Sequence, residues 1–482
     1  MKKLSLFLIS TLLMTSCGET KKEEKEDKSQ QKEKEVAIAK VSPDMMESAI
    51  IYEANIRQYS TEGTFDAFTK DIPKLKELGV KVIWVMPIFP ISETKRKATG
   101  DKFASDIEDP EERKKYLGSY YAVSDFTKIN PEFGNIKDFR ELVKTAHDNG
   151  IYVILDWVPN HTGWDHTWLT TNPEFYTKND KGEITDPLNE DGKPVGWEDV
   201  ADLNYDNKEM RNLMIQQMKY WLTEEGVDGF RCDVAGSVPT DFWEEAIPQL
   251  RATKDIFMLA EAWEPELLKG NLFDMAYGWD THHRMNHIAK GEETVADWDK
   301  RMQQIDSLYE ADDILMNFVT NHDENSWNGT IEERMGEGAA AFTALSYVAP
   351  GMPLIYSGME YDMKHRLKFF EKDEIPKTKG EMWPLLEKLG TLKNTHVALH
   401  GGKNAASYTK LATSKADHVL AFTREKEGKK VIYVGNLSKD AVNSTIDLTG
   451  SFTDYITGEK VTFTEGQEVA LQPWQYMVLL AE

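Results

Sequence analysis

Three acidic side chains stand at or just past the ends of short apolar runs, where they could act together. Asp233 lies in GFRCDV, Glu261 follows the apolar residues of MLAEAW, and Asp323 ends FVTNHD. If those runs are strands opening on one mouth, one carboxylate can attack an anomeric carbon while an acid protonates the departing oxygen. Glycosidic cleavage requires that division of labour. Arg231 lies two residues before Asp233, so on a strand the two side chains point the same way. A guanidinium there predicts a lowered pKa for Asp233, which stays ionised as a nucleophile must. Glu261 sits between apolar and aromatic neighbours, which predicts desolvation, a raised pKa and the role of general acid. Asp323 follows a histidine and suits binding of sugar hydroxyls or stabilisation of an oxocarbenium-like transition state. Other polar residues at run ends are Asp156, Asn160 and His161 near IYVILDW, Trp263 beside Glu261, and Asn321 with His322. A buried Arg–Asp pair is more often structural than catalytic. The weight rests on the joint occurrence at successive strand ends.

The elements that must position these groups repeat one pattern. Thr64 can cap a helix with Phe65, Phe68, Ile72, Leu75 and Leu78 on one face, and VKVIWVMPI follows it. Asn135, with Asp138 three residues on, caps a second helix before IYVILDW. Asp206 with Glu209 reads as a capping box for a third before VDGFRCDV. Continuous apolar runs alternating with amphipathic helices mean parallel strands covered on both faces. Eight such runs, near 50–56, 81–87, 151–157, 228–234, 256–262, 272–277, 314–319 and 353–357, predict a TIM (β/α)8 barrel. A doubly wound open sheet is disfavoured, since no glycine-rich phosphate loop follows any run. The polar stretch after strand three is too long for an ordinary loop and predicts an excursion domain over 158–205. A second, strongly charged insertion covers roughly 92–118. From about residue 395 the helical pattern gives way to HVLAFTRE, KKVIYVGNLS and EVALQPWQYMVLLA, predicting a C-terminal antiparallel β-sandwich. The expected divisions are therefore a catalytic barrel over 43–394 and the sandwich over 395–482.

The N-terminus is a targeting segment. Lys2 and Lys3 precede an apolar run over 4–14, too short to span a bilayer. Thr15 and Ser16 then lead to Cys17, the pattern of a bacterial lipobox, with residues 1–17 as signal peptide and Cys17 as the lipidated end. Residues 18–42, rich in Lys and Glu, read as a solvated tether. These features predict export, and a membrane-anchored location in the periplasm or at the cell surface. Cys17 and Cys232 are the only cysteines. With Cys17 acylated no disulfide forms, and Cys232 reads as a buried, inert thiol. A formal net charge of −25 argues against nucleic acid or anionic lipid as a partner and fits a neutral or cationic ligand.

From about residue 48 onward the chain resembles the α-amylase family of glycoside hydrolases. The motifs are DWVPNH (156–161), GFRCDVA (229–235), EAW (261–263) and FVTNHD (318–323), with GVKVIWVMP, ADLNYD and GMPLIYSGME beside them. The resemblance implies Asp233 as nucleophile, Glu261 as acid/base and Asp323 as transition-state stabiliser. It implies Arg231, His161 and His322 as ligands of the sugar at the cleavage point, with Tyr121 stacking on that sugar. It also implies Asn160 and Asp202 as ligands of a structural calcium. The chain departs from many endo-acting relatives at Gly236 and Ser237, where they carry a Lys-His pair, which puts the usual leaving-side sugar contacts in doubt.

Cleavage of α-1,4-glucosidic bonds in starch, glycogen or maltooligosaccharides is thus the expected activity, through a covalent glycosyl-enzyme intermediate and with no organic cofactor. An α-glucosidase, cyclomaltodextrinase, neopullulanase or transglycosylase of the same family is the neighbouring reading. A surface glycan-binding lipoprotein on an inactive scaffold is the reading from another class. Retention of all three carboxylates and Arg231 speaks against it.

Overall fold

Strand alternation decides which residues face the functional site. The computed structural model describes residues 38–99, 102–189, 191–270 and 272–481. Each of the eight apolar runs supplies a strand: β1 (Ile51–Ala54), β2 (Val82–Val85), β3 (Tyr152–Trp157), β4 (Gly229–Cys232), β5 (Phe257–Ala260), β6 (Met275–Tyr277), β7 (Ile314–Asn317) and β8 (Met352–Tyr356). They pair in parallel, in chain order, and β8 closes onto β1 with Ile51 opposite Leu354. Ile51, Val82, Trp84, Ile154, Leu259 and Met316 form one buried cluster, the barrel interior. Their sequence neighbours Tyr52, Ile83, Val153, Leu155, Met258 and Leu315 belong to another, shared with the surrounding helices. The inward register also carries Glu53, Asp156 and Arg231, so the upper layer of the barrel is polar and still buried.

The helices start largely as their sequences dictate. Thr64 accepts a hydrogen bond from the Ala67 N–H and caps Phe65–Thr69. The single helix expected to run on to Leu78 is broken, and a second one covers Ile72–Glu77. Pro73, in the first turn of that second helix, has no N–H to bond back to a preceding turn. Asn135 and Asp138 form the expected capping box of Ile136–Asp148. For Lys208–Thr223 the cap is Asn207 and not Asp206: the Asn207 side chain accepts from the N–H groups of Glu209 and Met210.

Between β3 and that helix, His161–Gly163 and Val200–Asp202 pair as a short antiparallel ribbon at the base of the excursion. Past the barrel lie β9 (Ser407–Lys410), β10 (Val419–Lys426), β11 (Lys429–Asn436), β12 (Val442–Thr445), β13 (Gly450–Asp454), β14 (Lys460–Phe463), β15 (Glu468–Leu471) and β16 (Tyr476–Ala481). Six of them form an antiparallel sheet in the order β9-β10-β11-β16-β13-β14, and β12 pairs with β15. One core, with Val419, Ile432, Phe452, Phe463, Leu471 and Leu479, joins the two sheets. The opposite face packs on the barrel, where buried Arg424 donates to the carbonyls of Val348 and His400, and Tyr433 to that of Ala341.

At the N-terminal end of the barrel, Val41, Met45 and Met46 pack under Ile51, Val82 and Tyr152 and close its floor. Val41 therefore belongs to the folded body although the tether was expected to extend to residue 42. Residues 1–37, with the signal segment and Cys17, lie outside the described residues. Cys232 is buried on the outward face of β4, and burial pushes its thiol well above its usual range.

Gly229 tests the tolerance of this closure. A Cβ there would sit 1.9 Å from the Phe257 carbonyl oxygen, at a φ of +147°. Gly229→Ala must push β4 off β5, and the expected result is a thermal midpoint several degrees lower in calorimetry, on the scale of about 3 kcal/mol for overpacking.

Candidate active site

At the C-terminal mouth of the barrel, everything is arranged around one guanidinium. Arg231, on β4, is fully buried. Its Nη1 donates to Asp156 Oδ1 at 2.8 Å and to Asp233 Oδ1 at 2.9 Å. Nη2 lies 2.8 Å from Glu261 Oε2 and Nε donates to the Tyr277 hydroxyl at 3.2 Å. Three carboxylates from β3 and from just beyond β4 and β5 thus meet on one cation. The indole of Trp84, from β2, lies against the guanidinium at 4.9 Å and donates to Asp156 Oδ2 at 3.0 Å.

The charges differ from the pattern at i and i+2 alone. Burial raises the Asp233 carboxyl well above the usual carboxylate range; Arg231 opposes this, while Glu261, Asp156 and Asp323 add to it. The expected lowering of Asp233 does not occur, because burial outweighs the shared cation and the neighbouring carboxylates repel. Burial also pushes Asp156 up to about 6, and raises Asp323. Nor is the setting of Glu261 apolar: its Oε2 accepts the Val234 N–H at 2.8 Å besides meeting Arg231. Val234 follows Asp233 and takes a left-handed backbone, φ 43° and ψ 42°. A β-branched residue adopts that conformation only under strain. Here the turn aims its N–H at Glu261.

The remaining expected residues converge on the same space. Tyr121 stacks against His322 with ring centres 5.5 Å apart, and its hydroxyl lies 2.7 Å from His322 Nε2 and 3.2 Å from Asp156 Oδ2. His322 Nε2 is 3.4 Å from Asp323 Oδ2. His161 lines the mouth, and burial pushes it down to about 3, so it is a neutral ring. Glu53 was not singled out from the sequence, yet it meets His322 Nδ1 at 2.5 Å. Its signal is a lone acid in the apolar run IIYEA.

Tyr121, His161, Asp233, Glu261, His322 and Asp323 line a cavity of about 940 Å³. Trp197, Trp263 and Trp327 at its rim are each about half exposed, at 41%, 51% and 51%. Large exposed rings around a polar cleft offer flat faces to sugar C–H groups. On the side of Gly236 and Ser237, the Glu264 carboxylate fills the place a side chain would take: a Cβ on Gly236 would lie 2.5 Å from Glu264 Oε2. An acid therefore stands where many relatives carry a lysine.

Asn160 and Asp202 offer two side chains toward the calcium expected there. Asn160 Nδ2 is turned to His161 Nδ1 at 3.3 Å, and Asp202, pushed up to about 6 by burial, has Asp186 as its charged neighbour. Among the described residues no three His, Cys, Asp or Glu side chains converge as a metal site. Calcium takes roughly six to eight oxygens, so Asn160 and Asp202 do not by themselves fit it.

Residues 27–387 match the family described as "Alpha amylase, catalytic domain". The chain is 24% identical to the α-amylase MalA of Haloarcula japonica over 87% of its own length, and spans 59% of that protein. It is 30% identical to a 4-α-glucanotransferase of Thermotoga neapolitana, over 65% of this chain and 71% of that one. Among solved structures, a noncanonic maltogenic α-amylase, AmyB, of Thermotoga neapolitana superposes with a TM-score of 0.78 at 26% identity, covering 90% of this chain and 99% of that one. An α-amylase of Lactobacillus plantarum gives 0.77 at 28% identity, covering 92% and 100%.

Two outcomes follow from this geometry. Arg231→Lys keeps the charge but loses the fork that serves three carboxylates, so kcat/KM on an α-glucan falls at least about a hundredfold. Because the donors at Asn160 and Asp202 fall short of calcium's needs, EDTA shifts the thermal midpoint by less than about 1 °C. A larger drop would show that carbonyls and waters complete a site there.

Proposed function

The chain belongs to the α-amylase family of glycoside hydrolases, and we propose that it cleaves α-1,4-glucosidic bonds with Asp233 as nucleophile, Glu261 as acid/base and Asp323 as stabiliser of the oxocarbenium-like transition state. The observation that carries this is the contact of Asp233 and Glu261 with one guanidinium, at a mouth shared with Asp323. Retaining glycosidases hold their two carboxyls roughly 5 Å apart, and inverting ones roughly 6.5–9.5 Å apart. One guanidinium bridging both carboxyls suits the shorter spacing.

In this reading, Asp233 attacks the anomeric carbon as Glu261 delivers its proton to the departing oxygen. Glu261 then takes a proton from the water that releases the glycosyl-enzyme. Tyr121 stacks on the sugar at the cleavage point, and Arg231, His161 and His322 hold it. Many relatives bind the leaving side with a lysine; Glu264 beside Gly236 offers only acceptors there, for sugar hydroxyls. The substrate is a starch, glycogen or maltooligosaccharide chain, and the family's cyclomaltodextrinases and glucanotransferases mark the neighbouring activities. We also propose that Cys17 is acylated after removal of the signal segment and holds the enzyme at a cell envelope. Cys17→Ala should then move the protein from the membrane fraction to the soluble one.

Protein lacking residues 1–37 should release α-anomeric reducing sugar from maltoheptaose, read by proton NMR. Asp233→Asn should lose at least about a thousandfold in rate. A wild type inactive on every α-glucan would leave the binding-protein reading standing. A product profile on soluble starch, maltotriose, pullulan and a cyclodextrin separates endo from exo action and hydrolysis from transfer.

A further inference from the structure

The buried carboxylate of Glu53 has no place in the roles above. It ends the inward register of β1 and is fully buried. One oxygen, Oε1, lies 2.5 Å from His322 Nδ1, and Oε2 has no hydrogen-bond partner. An acid with half its acceptor capacity unused is unfavourable in a barrel interior unless a cation faces it. His322 is that cation.

We propose that Glu53 is a positioning residue of the reaction, committing His322 Nδ1–H to the barrel wall so that the other ring nitrogen presents its proton to the Tyr121 hydroxyl and its positive charge to Asp323. This rests on the reading of His322 and Asp323 as groups that hold the sugar. The titratable and charged groups facing the ring are Glu53 from β1, Tyr121 from the loop after β2, Asp156 from β3, Arg231 from β4, and Asp323 beside it. Glu53 meets Nδ1, while Nε2 has the Tyr121 hydroxyl at 2.7 Å and the Asp323 carboxylate at 3.4 Å. An imidazolium donates from both nitrogens, to Glu53 and to the Tyr121 hydroxyl, with the Asp323 carboxylate alongside. A neutral ring has one proton, and with that proton committed to Glu53 the Nε2 lone pair would lie beside the Asp323 carboxylate. Burial works against the charged ring, but Asp323 and Glu53 outweigh it and hold His322 up to about 9. The sign follows directly. The charged ring persists through neutral pH and is lost as pH rises through about 9. Removing the Glu53 charge moves that loss downward.

Glu53→Gln keeps the shape and a hydrogen-bonding group while removing the charge. On maltoheptaose, the alkaline limb of kcat should move down by at least about one pH unit, so that the loss against wild type is at least about threefold greater at pH 8.5 than at pH 6. Glu53→Asp, which keeps the charge at a shorter reach, should restore part of the limb, and it decides the matter if the glutamine variant does not fold. Nitrogen-15 NMR of histidine-labelled Asp233→Asn protein, with and without Glu53→Gln, follows the His322 titration without turnover. Equal losses at every pH, or a His322 titrating near its ordinary value with Glu53 intact, would overturn the proposal. A wild type that hydrolyses no glucan while His322 still titrates high defeats the functional reading instead, leaving the link between Glu53 and His322 in place.

Discussion

A guanidinium buried inside a barrel is the constraint from which the rest of this site follows. Stripped of water, Arg231 would be unfavourable by several kcal/mol unless carboxylates came to it. They arrive from three neighbouring elements: Asp156 within β3, Asp233 just past β4 and Glu261 just past β5. The pairs that neutralise the arginine are the same pairs that set the reacting groups in place. Stability and chemistry share one network. The network is acidic in excess, since Glu53, Asp156, Asp233, Glu261 and Asp323 face only Arg231 and His322. Burial raises Asp156, Asp233 and Asp323 together, and Arg231 opposes the rise at each of them.

Backbone geometry completes what charge begins. Val234 accepts a left-handed conformation that a β-branched side chain resists, and the result is an N–H pointing at Glu261. Gly229, two residues before Arg231, lets β4 approach β5 closely, with no room for a side chain. Gly236 makes way for Glu264. Within eight residues, close approach, strain and vacancy each serve the same mouth.

Much of this was legible in the chain because barrel strands advertise themselves. VIWV, YVILDW and GFRC are buried on both faces and read as unbroken apolar runs. Their polar ends, with Asp156, Arg231, Asp233, Glu261, His322 and Asp323, come together in space. What escaped depends on contacts across the barrel. The lowered Asp233 was inferred from Arg231 two residues away, while the repelling Glu261 and Asp323 lie 28 and 90 positions further along. Glu53 looked like a blemish in IIYEA because its partner His322 is 269 residues distant. Trp197 comes from an irregular loop and Trp327 from a single turn of π-helix over Glu324–Asn328, and neither carries a periodicity to read. The cap at Asn207 in place of Asp206 is a one-residue ambiguity between two side chains that cap equally well.

The floor formed by Val41, Met45 and Met46 gives the molecule a polarity. The Tyr152 hydroxyl donates to the Lys40 carbonyl, and Lys40 itself pairs with Asp255 just ahead of β5. The folded body therefore begins at the pole opposite the cleft. Floor and cleft thus occupy opposite ends of one barrel, and a change at Val41, Met45 or Met46 would reach the interior from the end away from the reacting groups.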